Sequence, residues 1–215
     1  MDFGDLLYDY AAAHSSAEPE WLRRIDCDTN LSLLNPRMCS GHIQGRLLVL
    51  LASMANPDKA LELGTFSGYS ALCLAEGLRK ENAYVDTIEV DDELEDFITS
   101  HLALAPQGIA SRVRLHIGDA LELIPRLGGG WQMTFIDADK RRYNDYLDAL
   151  LPLVPPGAII LADNTLWGGN VIDPGHDRDA QTRAIRSFND RVAADPQLDA
   201  VMLPLRDGLT ILRRR

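Results

Sequence analysis

Two apolar runs in this chain end in side chains that can hold a metal ion or move a proton. Phe135-Ile136 leads into Asp137-Ala138-Asp139-Lys140, and Ile159-Ile160-Leu161-Ala162 leads into Asp163-Asn164. Such runs read as strands of a buried parallel sheet, and ligands in that architecture collect at the carboxyl ends of the strands. If the two strands are neighbours, Asp137, Asp163 and Asn164 meet at that edge. Three oxygen donors without histidine or cysteine suit a hard cation, and magnesium is typically held by one or two carboxylates plus waters and ligand oxygens. Each residue also has a plainer use: Asp163 as a turn cap, Asn164 as a left-handed backbone position, Lys140 as a surface partner of Asp139.

A second constellation lies upstream. In Leu61-Glu62-Leu63-Gly64-Thr65-Phe66-Ser67-Gly68-Tyr69-Ser70 a strand enters a glycine-containing turn and then a helix, which lets a nucleotide or nucleoside approach the backbone. Gly64 and Gly68 are spaced Gly-x-x-x-Gly, so this is not the dinucleotide fingerprint, and no phosphate-loop lysine follows. The alternative is a plain tight turn. Thr87-Ile88-Glu89-Val90 then brings a carboxylate about one strand-helix unit later, where such folds grip ribose hydroxyls.

The elements that must position these residues follow from periodicity. Helical spacing marks the first 57 residues, with Ser16 as a cap before Glu18-Pro19-Glu20 and a further helix over 41–55 that stops at Asn56-Pro57. From residue 58 strands and helices alternate: strands over 60–63, 83–90, 113–117, 133–136 and 158–161, helices over 68–79, 92–104, 120–127 and 143–153. That alternation predicts a doubly wound α/β sheet. A polar connection over 167–179 precedes a helix over 182–194. Two β-rich runs, 200–205 and 209–212, flank Arg206-Asp207-Gly208, a hairpin signal. Histidines 14, 42, 101, 116 and 176 show no paired ligand spacing, Gly128-Gly129-Gly130 reads as a flexible turn, and Arg213-Arg214-Arg215 as a solvated tail.

Composition bounds the function classes. A chain of 215 residues suits one domain, residues 1–215, with 1–57 as N-terminal helices and 58–215 as the core. A net charge of -11 repels phosphate backbones and anionic membranes, so nucleic acid is disfavoured as a partner. Cys27, Cys39 and Cys73 are odd in number and unpatterned, which suits reduced buried thiols and a cytoplasmic location. The opening Met1-Asp2-Phe3-Gly4-Asp5 is acidic where a signal peptide is basic, and the longest apolar run, 47–55, is too short to span a bilayer.

Taken together, Glu62 to Ser70, Asp137 to Lys140 and Asp163-Asn164-Thr165-Leu166-Trp167 resemble the metal-dependent O-methyltransferases of the caffeoyl-CoA and catechol type, a class I S-adenosylmethionine (SAM) family. The likeness runs from about Asn35 to the C-terminus. It implies a Rossmann-like sheet in the order 3-2-1-4-5-7-6, with strand seven antiparallel, agreeing with the terminal hairpin. It also implies that Met38, Glu62, Gly64, Ser70, Glu89, Ala120 and Asp137 contact SAM, with Glu89 on the ribose. Asp137, Asp163 and Asn164 would hold magnesium, or manganese or calcium in its place. Lys140 matches the family's general base and Trp167 an aromatic wall of the acceptor pocket, with ordinary loop packing as the alternative for Trp167. The implied assembly is a homodimer.

The expected reaction is methylation of one hydroxyl of a small aromatic diol such as catechol, caffeate or a flavonoid. A phenol titrates near about pH 10 in water. A chelated cation favours the phenolate, Lys140 takes the proton if the cation lowers its pKa, and the methyl passes in line from sulfur to oxygen. The rival acceptor is a hydroxylated uridine of transfer RNA, and the rival class a non-catalytic SAM-binding module. Acceptor choice should lie in 6–38 and 168–179, and coenzyme A contacts do not align with Val171-Ile172-Asp173-Pro174-Gly175.

Overall fold

The computed structural model describes residues 3–215, so the expectation attached to Met1-Asp2 lies outside the described residues. Seven strands form one sheet: β1 Lys59–Leu63, β2 Tyr84–Glu89, β3 Val113–Ile117, β4 Met133–Ile136, β5 Ile159–Asp163, β6 Leu198–Leu203 and β7 Leu209–Arg214. Their order is β3-β2-β1-β4-β5-β7-β6. β1 to β5 pair in parallel, whereas β7 runs antiparallel to both β5 and β6. The helices are α1 Phe3–Ala13, α2 Glu20–Ser32, α3 Gly41–Ala55, α4 Tyr69–Gly77, α5 Glu95–Leu102, α6 Gln107–Ala110, α7 Ala120–Leu127, α8 Tyr143–Leu150 and α9 Ala180–Ala194.

Alternation along each strand feeds two apolar layers, because successive side chains point to opposite faces. Leu61, Leu63, Ile136, Ile160 and Ala162 pack with Ile124 of α7, Tyr143 and Leu147 of α8, and Ile185 and Phe188 of α9. Ala60, Met133, Phe135 and Leu161 face the other way, onto Leu22 and Ile25 of α2, Leu48 and Ala52 of α3, and Leu72 and Leu74 of α4. Each fully buried Leu, Ile or Phe contributes about 1.5–3 kcal/mol of burial. Helices α2 and α3 therefore complete one face of the core; they are not an appendage.

The central strands lie where the spacing predicts them, and the departures have local causes. Ser16 does not cap the second helix: Pro19, extended at φ -60 and ψ 148, occupies the cap position without a side-chain hydrogen bond. The helix expected over 92–104 divides into a 3-10 turn, Asp92–Leu94, capped by Asp91, and α5. The polar connection after Leu166 holds two 3-10 turns, Trp167–Ile172 and Pro174–His176. β6 begins at Leu198 and ends at Leu203, before Pro204, which has no N–H for the ladder. Arg213 and Arg214 are not a solvated tail; they belong to β7, and Arg213 and Arg215 both pair with Asp199. Cys39 and Cys73 are buried as expected, but Cys27 is exposed, and all three are free thiols.

Candidate functional site

The carboxyl ends of β1, β2, β4 and β5 open into a cavity of about 1100 Å³. Gly64 makes that arrangement possible. It stands at φ +94, and a Cβ there would lie 2.1 Å from the carbonyl oxygen of Asp137. Only glycine lets the turn after β1 press against the end of β4. Gly64 N–H donates to Ile88 at 2.9 Å and Asp137 N–H to Leu63 at 2.9 Å, so three strand ends are tied at this point.

Glu89, buried at the end of β2, is fixed by the same turn. Its Oε2 accepts the Phe66 N–H at 2.8 Å and its Oε1 the Asp91 N–H at 3.0 Å. Phe66 holds φ +53, an unusual angle for a non-glycine residue, to make that bond. Each oxygen keeps a further lone pair for a hydroxyl in the cavity, as a ribose contact requires.

Glu62 sits behind the turn, fully buried, and is the one predicted contact that does not line the cavity. Thr87 donates its hydroxyl to Oε2 at 2.5 Å, and Thr65 lies 2.5 Å from Thr87. Burial pushes the carboxyl up to about 8, although the hydroxyls of Ser70 and Thr87 favour its anion. Ser70 is close enough for that, yet Oε1 completes no hydrogen bond within the chain. A buried acid with one oxygen unpaired leaves a place for one more hydrogen-bond donor there.

β4 and β5 are neighbours, and they bring Asp137, Asp163 and Asn164 to one end of the cavity, where Lys140 and Trp167 also line it. Asp163 is 4% exposed. Its pKa is raised, first by burial and then by the charge of Asp137, against a hydrogen bond from Gln44, the Asn164 N–H and the charge of Lys140. Lys140 does not pair with Asp139: its Nζ lies 2.6 Å from Asp137 Oδ1, while Asp139 pairs with Arg141. Asn164 takes the left-handed φ of +57 expected of an asparagine at a turn, and also lines the cavity.

Among the described residues no three His, Cys, Asp or Glu side chains gather closely enough to hold a metal ion. The candidate set is two carboxylates and an amide. These are oxygen donors only, and the charge of Asp137 raises the cost of ionising Asp163, so the set fits a hard divalent cation.

Met38, Gly64, Ser70 and Ala120 all line the cavity with Glu89. Ala120 opens α7 behind Asp119, whose side chain caps Leu121 N–H at 2.8 Å and pairs with Arg142 at 2.5 Å. Trp167 lines the cavity and packs against the core. None of the five histidines lines it; His101 is buried against the Ser67 carbonyl and His116 pairs with Asp86.

Several positioning residues escaped the motifs. Tyr143 shares its hydroxyl between the carbonyls of Ile136, at 3.2 Å, and Asp163, at 3.0 Å, joining the ends of β4 and β5. Arg206, at the hairpin tip, donates to the carbonyls of Cys39 at 2.9 Å, Arg37 at 3.0 Å and Ser40. On the other side of that tip, Asp207 and Gly208 accept the N–H groups of Leu166 at 2.8 Å and Thr165 at 3.1 Å. Sequence spacing marked the turn but carried no sign of these partners. A second hollow, about 760 Å³ between α9 and the β6 and β7 edge, lies apart from all of these residues.

Comparison with known proteins places this geometry. The model of a family described as O-methyltransferase matches residues 12–215. A catechol O-methyltransferase of Niastella koreensis is 35% identical over 171 residues, 75% of this chain and 73% of that protein. A caffeoyl-CoA O-methyltransferase of Eucalyptus gunnii is 31% identical over 225 residues, 98% of this chain and 88% of that protein. Among solved structures, the O-methyltransferase TomG of Streptomyces achromogenes, in complex with SAM and involved in tomaymycin synthesis, superposes with a TM-score of 0.84. It is 31% identical, over 95% of this chain and 94% of that one.

Proposed function

Since the chain belongs to the O-methyltransferase family and is a SAM-dependent enzyme, we propose that its acceptor is one hydroxyl of a small catechol-type aromatic and that the reaction depends on magnesium. The observation that carries this reading is the convergence of Asp137, Asp163, Asn164 and Lys140 in the same cavity that Gly64 and Glu89 line.

Asp137, Asp163 and Asn164 would hold the ion, which when bound would supply Lewis acidity toward the acceptor hydroxyl. Glu89 orients the ribose of SAM, and the Phe66 and Asp91 amides keep that carboxylate in place. Trp167 offers a ring face against which a flat acceptor can pack. Lys140 is the group that takes the phenolic proton. Held to Asp137 in the structure, it must release that carboxylate and enter the step as the neutral amine, its own proton already lost to solvent, which ties the base to the state of the ligand set.

Methyl transfer from labelled SAM to catechol, caffeate, a caffeoyl thioester, a flavonoid diol and transfer RNA, each with and without magnesium, tests the reading. Metal-dependent turnover of a free diol supports it. Turnover of transfer RNA alone, or undiminished turnover in chelator, overturns it. Free thiols accord with a cytoplasmic protein; no described helix is long and apolar enough to cross a membrane. The homodimer implied by the resemblance belongs to the same proposal.

A further inference from the structure

Helix α3 sends one polar side chain beneath the end of β5. Gln44 is fully buried, and its Nε2 donates to Asp163 Oδ2 at 2.6 Å across 119 positions of sequence. Its other end, Oε1, is buried without a hydrogen-bond partner. The orientation of the amide is set by Asp163, because turning it would oppose two acceptor oxygens. An amide half satisfied in the interior costs stability that a leucine or methionine of similar volume would not. The same helix buries Leu48 and Ala52, one and two turns on. Position 44 therefore gives up apolar packing to deliver one N–H to one carboxylate. The Asn164 N–H meets Oδ1 of that carboxylate at 2.8 Å, so the two donors together fix its plane.

We propose that Gln44 is a positioning residue for the divalent cation: it touches neither ion nor substrate, but holds Asp163 in the orientation in which Asp163 binds the ion. The proposal rests on the metal reading of Asp137, Asp163 and Asn164. It extends that site to an N-terminal helix that none of the motifs includes. Groups that hydrogen-bond metal-binding side chains in this way change metal affinity by about 10–100-fold when removed.

The test compares wild type with Gln44→Met and Gln44→Ala, measuring Mn²⁺ binding by electron paramagnetic resonance and SAM binding by calorimetry. The expected result is Mn²⁺ affinity weakened by about tenfold or more with SAM affinity unchanged. Wild-type Mn²⁺ affinity in a folded variant, or equal loss of metal and SAM binding, overturns the proposal. A wild-type protein that binds no Mn²⁺ overturns the metal reading and this one with it, which separates the two failures. If neither variant folds, the wild type decides: its Gln44 side-chain amide resonance shifts on adding Mg²⁺, and an unmoved signal in a protein that binds the ion overturns the proposal.

Discussion

Glu62 is a buried acid that the chain alone leaves incompletely matched. For Glu62 the folded carboxyl titrates at about 8, against 4.5 as its ordinary value. Between those values the folded protein binds a proton that the unfolded chain does not, so stability falls as pH rises, by up to about 1.4 kcal/mol per unit. Glu62→Gln should flatten that decline, leaving the ligand-free variant at least as stable as wild type at pH 8 while weakening SAM binding. Denaturant melts at pH 5 and pH 8 measure the first effect and calorimetry the second; parallel pH profiles would refute it. Asp137→Ala and Asp163→Ala should each reduce turnover to the level of chelator-treated wild type. Lys140→Ala should lower kcat by about 10²–10⁴-fold, as expected for a proton-transfer group, with SAM affinity intact; intact turnover rejects the base role.

At the scale of elements, the β6–β7 hairpin tip is a clasp between two walls of the cavity. Arg206 holds the segment before α3 through three carbonyls, and Asp207 and Gly208 hold the backbone just after β5. Gly208 stands at φ +89, and a Cβ there would lie 2.5 Å from the Leu166 nitrogen. Gly208→Ala should therefore cost more than about 1 kcal/mol and lower Tm by roughly 2–4 °C or more, read by calorimetry. Arg206→Ala removes exposed donors and should cost only about 1 kcal/mol. Its larger effect should be a raised KM for SAM, because Met38 lies on the released segment, with kcat less affected. An unchanged KM would show that the clasp does not shape the cavity.

At the scale of the whole molecule, the net charge of -11 predicts no measurable binding of transfer RNA at physiological salt, where phosphate-contacting proteins depend on clustered cations. Fluorescence anisotropy with labelled transfer RNA checks this, and salt-sensitive binding would revive the rival acceptor. The proposed homodimer predicts a solution mass twice the 23.8 kDa of one chain. Light scattering at micromolar concentration measures it, and a mass of one chain refutes it. Large apolar side chains exposed on α1 and α3, among them Leu7, Tyr10, Leu50 and Met54, give such contacts somewhere to form.

The central fold was legible in the sequence because a parallel sheet writes itself locally: each buried strand is an apolar run, each crossover a helical period, and a change of period marks each boundary. The strand-end residues were legible for the same reason, since Asp137, Asp163 and Glu89 follow directly on runs that can only be interior. Even the glycine turn announced itself, although the sequence could not say that Gly64 is required by the carbonyl of Asp137. Strand order did not follow from spacing, because pairing joins β1 to β4 across two intervening strands; the family resemblance supplied it. What only the tertiary structure decided are the partners. Gln44 reaches Asp163, Arg206 reaches Cys39, Tyr143 joins two strand ends, and Lys140 chooses Asp137 over its neighbour Asp139. The long-range pairings depend on where distant segments come to rest when two apolar layers close on the sheet, and the choice made by Lys140 depends on how the turn after β4 is held. A linear pattern records which groups are available but not which of them meet.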